Sequence, residues 1–164
     1  MYKGIAFFDL DGVVADCEHR LAYVDDKDKY YAYDAVLADT PIEKGCNLMK
    51  MFFNNGYKII VITSRREMCR KATTDWLEKN KLHFIDLKND IYMKAPGDTR
   101  ESWDVKRDLV FKAIKDNEAI AIKNDNYFVD DYPANCEMIT NCCPQITPLI
   151  FTTRRLNNSQ KEEN

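Results

Sequence analysis

Short apolar runs alternate with amphipathic stretches along this chain. Continuous apolar runs of this length are typical of strands that are buried on both faces of a parallel sheet. They predict strands at residues 3–9, 57–63 and 127–131, with weaker strands near 90–93 and 147–151. Each of the first three runs ends on hydroxyl or carboxylate side chains, so polar groups follow the strands directly.

Between these strands, apolar residues recur every three or four positions and predict helices. Thr40 and Glu43 form a capping box that predicts one helix start, and Ser64 and Glu67 form a second. Further helices are expected near 102–116 and 134–141. Alternating strands and helices predict an α/β fold, with a parallel sheet covered by helices on both faces.

The chain is expected to form a single domain over residues 1–152, followed by a polar, flexible tail at 153–164. Residues 17–39 interrupt the alternation because they are polar and rich in tyrosine. We interpret them as a loop with a short helical insert, too small to form a separate covering domain.

Composition narrows the classes of function. The chain has 164 residues, of which 45% are hydrophobic and 31% are charged, as is usual for a globular protein. A net charge of −3 argues against coating nucleic acid through bulk positive charge, although it allows a local basic groove. No apolar run approaches the roughly 20 residues that a membrane span needs.

The six cysteines contain no C-x-x-C pair, and the sequence has only two histidines, which argues against a zinc site. The first residues run directly into a strand and resemble no signal peptide. We therefore expect reduced thiols and a cytoplasmic location.

Polar side chains are predicted to meet at one edge of the sheet. In parallel sheets, ligands bind at the carboxyl ends of the strands. The residues at those ends are Asp9, Asp11, Thr63, Ser64, Asp130 and Asp131. Closely spaced carboxylates repel one another unless a cation lies between them, and a hard divalent cation such as Mg²⁺ is the partner they favour.

These residue types can carry out phosphoryl transfer. A carboxylate near the metal can attack phosphorus and form an aspartyl-phosphate. A second carboxylate two residues away can protonate the leaving oxygen and then activate water. Thr63 supplies a hydroxyl for the phosphoryl oxygens, and Lys106, at the start of a predicted helix, supplies an ammonium group.

The order of these motifs resembles the haloacid dehalogenase (HAD) superfamily of phosphotransferases: D-x-D-G after a strand, Thr after a strand, a lysine, and Asp-Asp after a strand. The resemblance implies a three-layer Rossmann-like fold. It implies that Asp9 is the nucleophile and Asp11 the general acid and base, with Thr63 and Lys106 holding the phosphoryl group. It further implies that Mg²⁺ is bound by Asp9, the backbone carbonyl of Asp11, Asp130 and Asp131, the last directly or through water.

A narrower resemblance is to the 3′-phosphatase domain of bacteriophage-type polynucleotide kinase-phosphatases. It rests on Arg20, on the Thr63-Ser64-Arg65 triplet and on the block from Met93 to Arg100. The substrate-binding residues that it implies are Arg20, Ser64, Arg65, Lys94 and Arg100. Arginines in such positions suit a substrate phosphate or a nucleic-acid backbone.

The chain departs from that family at two positions. Lys94 replaces an arginine ahead of Gly-Asp, and Ser102 occupies the place of an acidic residue four positions before Lys106. The sequence also lacks a P-loop, so no kinase domain is expected. No obligate protein partner is evident, and the expected substrate is a phosphorylated polynucleotide end or a nucleotide.

Several alternatives remain open at this point. The first motif also resembles that of nucleotidases that act on mononucleotides. A non-catalytic binding module on the same scaffold and a phosphotransferase are further possibilities. Arg20 and Arg65 can equally be structural partners in salt bridges.

Overall fold

A computed structural model describes residues 1–122 and 125–152. The five strands of its main sheet are β1 (Gly4–Phe8), β4 (Tyr57–Arg66), β5 (Ile91–Lys94), β6 (Asn126–Asp130) and β7 (Ile146–Ile150). All five are parallel, in the order β5-β4-β1-β6-β7. The predicted parallel α/β sheet is confirmed, and its strand positions agree with the predicted runs to within a few residues.

Helices cover both faces of the sheet, which gives three layers. They are α1 (Lys27–Tyr30), α2 (Tyr33–Leu37), α3 (Glu43–Asn54), α4 (Arg70–Lys79), α5 (Ser102–Asp116), α6 (Glu118–Ala121) and α7 (Pro133–Cys142). Alternate residues of β1 face opposite layers. Phe8 packs in the core that includes Met49 of α3 and Trp76 of α4, whereas Phe7 packs in the core that includes Val110 of α5 and Ile139 of α7.

The central position of β1 places the site. In the register of the sheet, Phe8 lies beside Val61 of β4 and Val129 of β6. The residues that follow these three positions therefore meet at the carboxyl edge of the sheet. Asp9 directly follows Phe8, Asp130 directly follows Val129 as the last residue of β6, and Thr63 lies two residues after Val61 within β4.

Both predicted capping boxes are wrong. Thr40 belongs to the short strand β3 (Thr40–Pro41), which pairs antiparallel with β2 (Ala15–Asp16), and α3 begins at Glu43 without a side-chain cap. β4 runs on to Arg66, and a 3₁₀ turn, Glu67–Cys69, precedes α4. In both places pairing of the backbone with another strand takes up the residues that local sequence assigned to a cap.

The insert over residues 17–39 consists of a 3₁₀ helix (Glu18–Tyr23), α1 and α2. Its last residue, Asp39, accepts a hydrogen bond at its backbone oxygen from Nε1 of the buried Trp76, at 2.7 Å. The insert is thus joined to α4. The tail predicted at 153–164 lies outside the described residues. No helix in the described part of the chain is long and apolar enough to cross a membrane.

Candidate active site

Lys106 joins two strand ends of the sheet. It lies in the second turn of α5, where its side chain is 2% exposed. Its Nζ is 2.6 Å from Oδ2 of Asp9, directly after β1, and 2.6 Å from Oδ2 of Asp130, the last residue of β6. Burial favours the neutral amine, but Asp9 and Asp130 outweigh it and raise the pKa of Lys106. Lys106 is therefore a buried ammonium ion between two carboxylates.

Asp9 is buried, and its Oδ1 accepts a hydrogen bond from the backbone N of Leu10 at 2.8 Å. Burial raises the pKa of Asp9 well above its ordinary value, while Lys106 opposes this shift and Asp130 adds to it. Without further positive charge, ionised Asp9 and its acidic neighbours destabilise the site.

An oxygen-rich cluster lies beside the ammonium group. Carboxylate oxygens of Asp9, Asp130 and Asp131 all lie within 4.8 Å of one another. Asp130 is fixed at its other oxygen, Oδ1, which accepts hydrogen bonds from the N of Tyr132 and from Nδ2 of Asn135, both at 2.9 Å. Burial raises the pKa of Asp131, and Asp130 raises it further.

Asn135 contributes one more oxygen to this pocket. Its Oδ1 is buried and has no hydrogen-bond partner among the described residues. Buried polar atoms are nearly always paired, so this oxygen suits an ion or a water molecule that an ion carries. Three carboxylates and an unpaired amide oxygen fit a hard divalent cation such as Mg²⁺. Sequence analysis missed Asn135, which lies in α7 five residues after Asp130.

Gly12 allows the loops after β1 and β6 to approach closely. Its φ is +79°, and a Cβ placed on it would lie 2.1 Å from Oδ2 of Asp131. A side chain here would displace Asp131 from the cluster, so the Asp-x-Asp-Gly sequence has a direct steric reason for its glycine.

Asp11 points to arginine rather than to the oxygen cluster. Nε of Arg65 is 3.1 Å from both of its carboxylate oxygens, Nη2 of Arg65 is 2.5 Å from Oδ1, and Nη2 of Arg20 is 3.3 Å from Oδ1. Burial alone would raise the pKa of Asp11, but Arg65 and Arg20 together lower it. Asp11 is therefore a carboxylate in this structure.

Asp39 completes this arrangement and was missed by sequence analysis. Its carboxylate is fully buried and accepts from Nε and Nη2 of Arg20, at 2.7 and 2.8 Å, and from Nη2 of Arg65, at 2.7 Å. The one physical reason to expect Asp39 here is that two buried guanidinium groups need anionic partners. Asp39 lies 28 residues after Asp11, and no local motif marks it.

The hydroxyl groups lie on the wall opposite the carboxylates of β6. Thr63 is buried, and its Oγ1 accepts from the N of Arg65 at 3.1 Å. The Oγ atoms of Ser64 and Ser102 are 2.8 Å apart. Ser102 thus replaces the expected acidic residue with a hydroxyl that pairs across to β4.

One open pocket of about 380 Å³ is lined by all four residues predicted to be catalytic: Asp9, Asp11, Thr63 and Lys106. It is lined by Asp9, Asp11, Gly12, Cys17, Thr63, Ser64, Ser102, Lys106, Asp131, Tyr132 and Asn135. Asp130 does not line this pocket itself but contacts Lys106, which does. We call this cavity the catalytic pocket.

None of the four cations predicted to bind substrate lines the catalytic pocket. Arg20 and Arg65 are buried and engaged by Asp11 and Asp39, as the alternative of structural salt bridges anticipated. Nζ of Lys94 donates to the backbone oxygen of Arg100 at 2.6 Å. Arg100 is exposed and pairs with two neighbouring aspartates, Asp98 at 2.8 Å and Asp108 at 2.5 Å.

A family model for the phosphatase domain of polynucleotide kinase PNKP matches residues 3–139. The chain belongs to this family. It is accordingly a phosphoric monoester hydrolase of the HAD superfamily, and the resemblance given by its motifs is confirmed. No curated protein matches the sequence.

Solved structures share the fold at low sequence identity. A chain from the Pnkp1/Rnl/Hen1 complex is 22% identical with a TM-score of 0.67, over 92% of this chain and 46% of that one. A haloacid dehalogenase-like hydrolase from Streptococcus pneumoniae is 14% identical with a TM-score of 0.65, over 91% and 84% of the two chains.

A HAD family enzyme from Bacteroides thetaiotaomicron, in complex with magnesium and inorganic phosphate, is 13% identical with a TM-score of 0.51, over 94% and 97%. The present chain spans less than half of the length of the chain from the Pnkp1/Rnl/Hen1 complex. These likenesses confirm the predicted three-layer HAD-like fold.

Proposed function

We propose that this phosphatase removes 3′-phosphates from polynucleotide ends through an aspartyl-phosphate on Asp9, with Mg²⁺ as its cofactor. Membership of the PNKP phosphatase family supports the substrate class. The observation that carries the chemistry is the position of Lys106, whose Nζ lies 2.6 Å from both Asp9 and Asp130 beside the oxygen cluster. Lys106 opposes the rise in the pKa of Asp9 that burial causes, and a bound Mg²⁺ would act in the same direction, toward the ionised and nucleophilic form.

The residues of this chain divide the reaction between them. A carboxylate oxygen of Asp9 attacks phosphorus, and the bond to the 3′-oxygen breaks. Asp11 passes a proton to that oxygen, and because Asp11 is a carboxylate in the resting structure it must first take this proton up from solvent. In the second step Asp11, as a carboxylate, takes a proton from water, which attacks phosphorus and releases Asp9. Lys106 and the hydroxyls of Thr63 and Ser64 hold the phosphoryl oxygens.

The donor set for Mg²⁺ would be Asp9, the backbone carbonyl of Asp11, Asp130 and Asp131, and we add Oδ1 of Asn135, directly or through water. Bound there, Mg²⁺ offsets the repulsion among the carboxylates and the charge on the phosphoryl oxygens.

For Arg20 and Arg65 the contacts support a different role from the one that the sequence suggested. Neither arginine lines the catalytic pocket; both bind the carboxylate of Asp11, and Asp39 binds both arginines. We therefore propose that Arg20, Arg65 and Asp39 are positioning residues for Asp11 rather than contacts for substrate. Ser64 keeps its proposed place in substrate binding, because it lines the pocket.

One observation favours a second candidate, a nucleotidase that acts on mononucleotides. Among the described residues that line the catalytic pocket, Lys106 is the sole lysine or arginine. A protein that follows a nucleic-acid backbone usually contacts several phosphates with basic side chains. A substrate with a single phosphate makes no such demand.

The test compares an oligonucleotide with a 3′-phosphate, the same oligonucleotide with a 5′-phosphate, and free 3′- and 5′-mononucleotides, each with Mg²⁺. Asp9→Asn is the matched inactive control, because it keeps the shape of the nucleophile. Preference for the 3′-phosphorylated oligonucleotide, lost in the variant, supports the proposal. Preference for mononucleotides supports the second candidate, and activity that survives in Asp9→Asn contradicts both.

A further inference from the structure

A second, larger cavity adjoins the catalytic pocket. Its volume is about 850 Å³, and it shares Gly12, Cys17 and Asp131 with that pocket. Because the two cavities share these walls, a phosphate held at Asp9 can extend its leaving group directly into the larger space. We call this space the adjoining groove.

The lining of the adjoining groove is apolar on some sides and acidic on others. Leu21 and Ile150 are 53% and 58% exposed, respectively, and Ile42 lies between the insert and α3. Asp16 and Glu18 add carboxylates. Ligand sites commonly combine apolar walls with a few polar groups that fix orientation.

The charge of the described lining residues disfavours a phosphate inside the groove. Of the residues described here, no lysine or arginine lines the adjoining groove, while Asp16, Glu18 and Asp131 do. Asp16 and Glu18 are exposed, so they would repel a phosphate in the groove most strongly at low salt. The groove therefore suits a neutral group with apolar faces and with N–H or O–H donors.

We propose that the adjoining groove binds the nucleoside that carries the reacting phosphate, an inference that rests on the proposed function. The apolar side chains cover the flat face of the base, and the carboxylates accept hydrogen bonds from its amino group or from sugar hydroxyls. A further phosphate on the same nucleoside lies outside the groove. In a polynucleotide, the strand leaves the groove after its last nucleoside.

The first test removes the apolar walls. Leu21→Ala combined with Ile150→Ala shortens two exposed side chains, so the fold is preserved. The readout is kcat/KM for a nucleoside 3′-phosphate divided by kcat/KM for acetyl phosphate, which carries no nucleoside. We expect this ratio to fall about 5- to 20-fold, mainly through KM. The matched control pairs Met51→Ala with Phe111→Ala, exposed apolar residues that do not line the groove.

The second test reverses one charge. The readout is the preference, as a ratio of kcat/KM values, between a nucleoside 3′-phosphate and the corresponding 3′,5′-bisphosphate, whose second phosphate lies outside the groove. Glu18→Lys should move this preference toward the bisphosphate by about 3- to 10-fold at low salt, and added salt should reduce the change. Glu118→Lys, an exposed glutamate that does not line the groove, is the matched control.

The outcomes separate this inference from the proposed function. If the variants hydrolyse nucleotides and both kcat/KM ratios stay at their wild-type values, the nucleoside site is overturned and the proposed function stands. If wild-type protein hydrolyses acetyl phosphate or a phosphopeptide but no nucleotide, the proposed function fails and the nucleoside site fails with it. If nucleotide and acetyl phosphate activities fall together, the walls act on catalysis in general, which also overturns the inference.

Discussion

Asp39 receives Arg20 in a two-pronged ion pair, with Nε at 2.7 Å from Oδ1 and Nη2 at 2.8 Å from Oδ2. Both side chains are fully buried. Asp39 lies at the end of the insert, and Arg20 lies near its beginning, so the pair closes the insert on itself. Asp39 also binds Arg65, and both Arg20 and Arg65 contact Asp11. Asp39 therefore helps to set the position of the proposed general acid and base.

Asp39→Asn should therefore lower both stability and activity. The amide keeps the shape but leaves two buried guanidinium groups short of one negative charge, which should cost about 3 kcal/mol of unfolding free energy. Urea denaturation measures this loss. Asp75→Asn is the matched control, since it removes an aspartate that pairs with Lys71 at the surface, and it should change stability little. An equal loss in the two variants would contradict the account.

The activity of Asp39→Asn distinguishes positioning from a purely structural role. If Asp39 acts through Asp11, kcat should fall at least tenfold at a temperature where the variant is fully folded, with KM nearly unchanged. If folded Asp39→Asn protein keeps the wild-type kcat, the ion pair stabilises the fold but does not position Asp11.

Gly12→Ala should disrupt the oxygen cluster. The substitution places a Cβ 2.1 Å from Oδ2 of Asp131 and also demands a positive φ from alanine. Gly97→Ala is the matched control, because its φ is +75° but nothing lies within 4 Å of the added atom. The control should lose roughly 1–2 kcal/mol from backbone strain alone and keep its Mg²⁺ dependence.

Gly12→Ala should lose more stability than this control and should need more Mg²⁺ for half-maximal activity. Titration of activity with Mg²⁺ checks both proteins. Equal Mg²⁺ dependence in the two variants would show that the contact between Gly12 and Asp131 does not shape the site.

Mg²⁺ should stabilise the folded protein, because it binds a cluster of repelling carboxylates that exists only in the native state. At 100 times its dissociation constant, a ligand adds about 2.7 kcal/mol. Thermal unfolding with Mg²⁺ and with EDTA measures this effect without any substrate. Asp131→Asn should abolish most of it, and Asn135→Leu should reduce it by removing the unpaired Oδ1. A melting temperature indifferent to Mg²⁺ would contradict the donor set.

Lys106→Met should remove activity while the fold survives in the presence of Mg²⁺. Methionine fills a similar volume but leaves Asp9 and Asp130 without their shared ammonium group. We expect kcat to fall at least a thousandfold, because phosphoryl oxygens lose a buried cation. Lys112→Met, a surface lysine of the same helix paired with Asp116, is the control and should stay active.

The sequence predicts the part of the site that depends on strand order. Asp9, Thr63 and Asp130 follow uncharged apolar runs, so their meeting at one sheet edge follows from parallel pairing alone. Lys106 could also be predicted, because it lies near the start of α5 and the start of that helix lines the same edge. These positions depend on local patterns that the fold preserves.

The remainder depends on contacts between distant segments. Asp39 binds Arg65 across a sequence separation of 26 residues, and no periodic pattern in the sequence predicts this pair. Ser64 was expected to cap a helix, but β4 extends past it and its hydroxyl meets Ser102 instead. Arg20 and Arg65 were expected to bind substrate because arginine suits phosphate, yet both are buried and bind Asp39 of the insert. Residue type indicates which ions a side chain can bind, whereas packing decides which one it reaches.

The central claim is that Asp9 carries the phosphoryl group. The most direct measurement is to quench turnover of a substrate with a radiolabelled 3′-phosphate in acid, digest the protein, and locate the label among its peptides. The account predicts label on the wild-type peptide that contains Asp9 and no label in Asp9→Asn. In Asp11→Asn, more labelled peptide should accumulate if the second step slows more than the first. Steady turnover in wild-type protein with no labelled peptide, or with label on another residue, would contradict it.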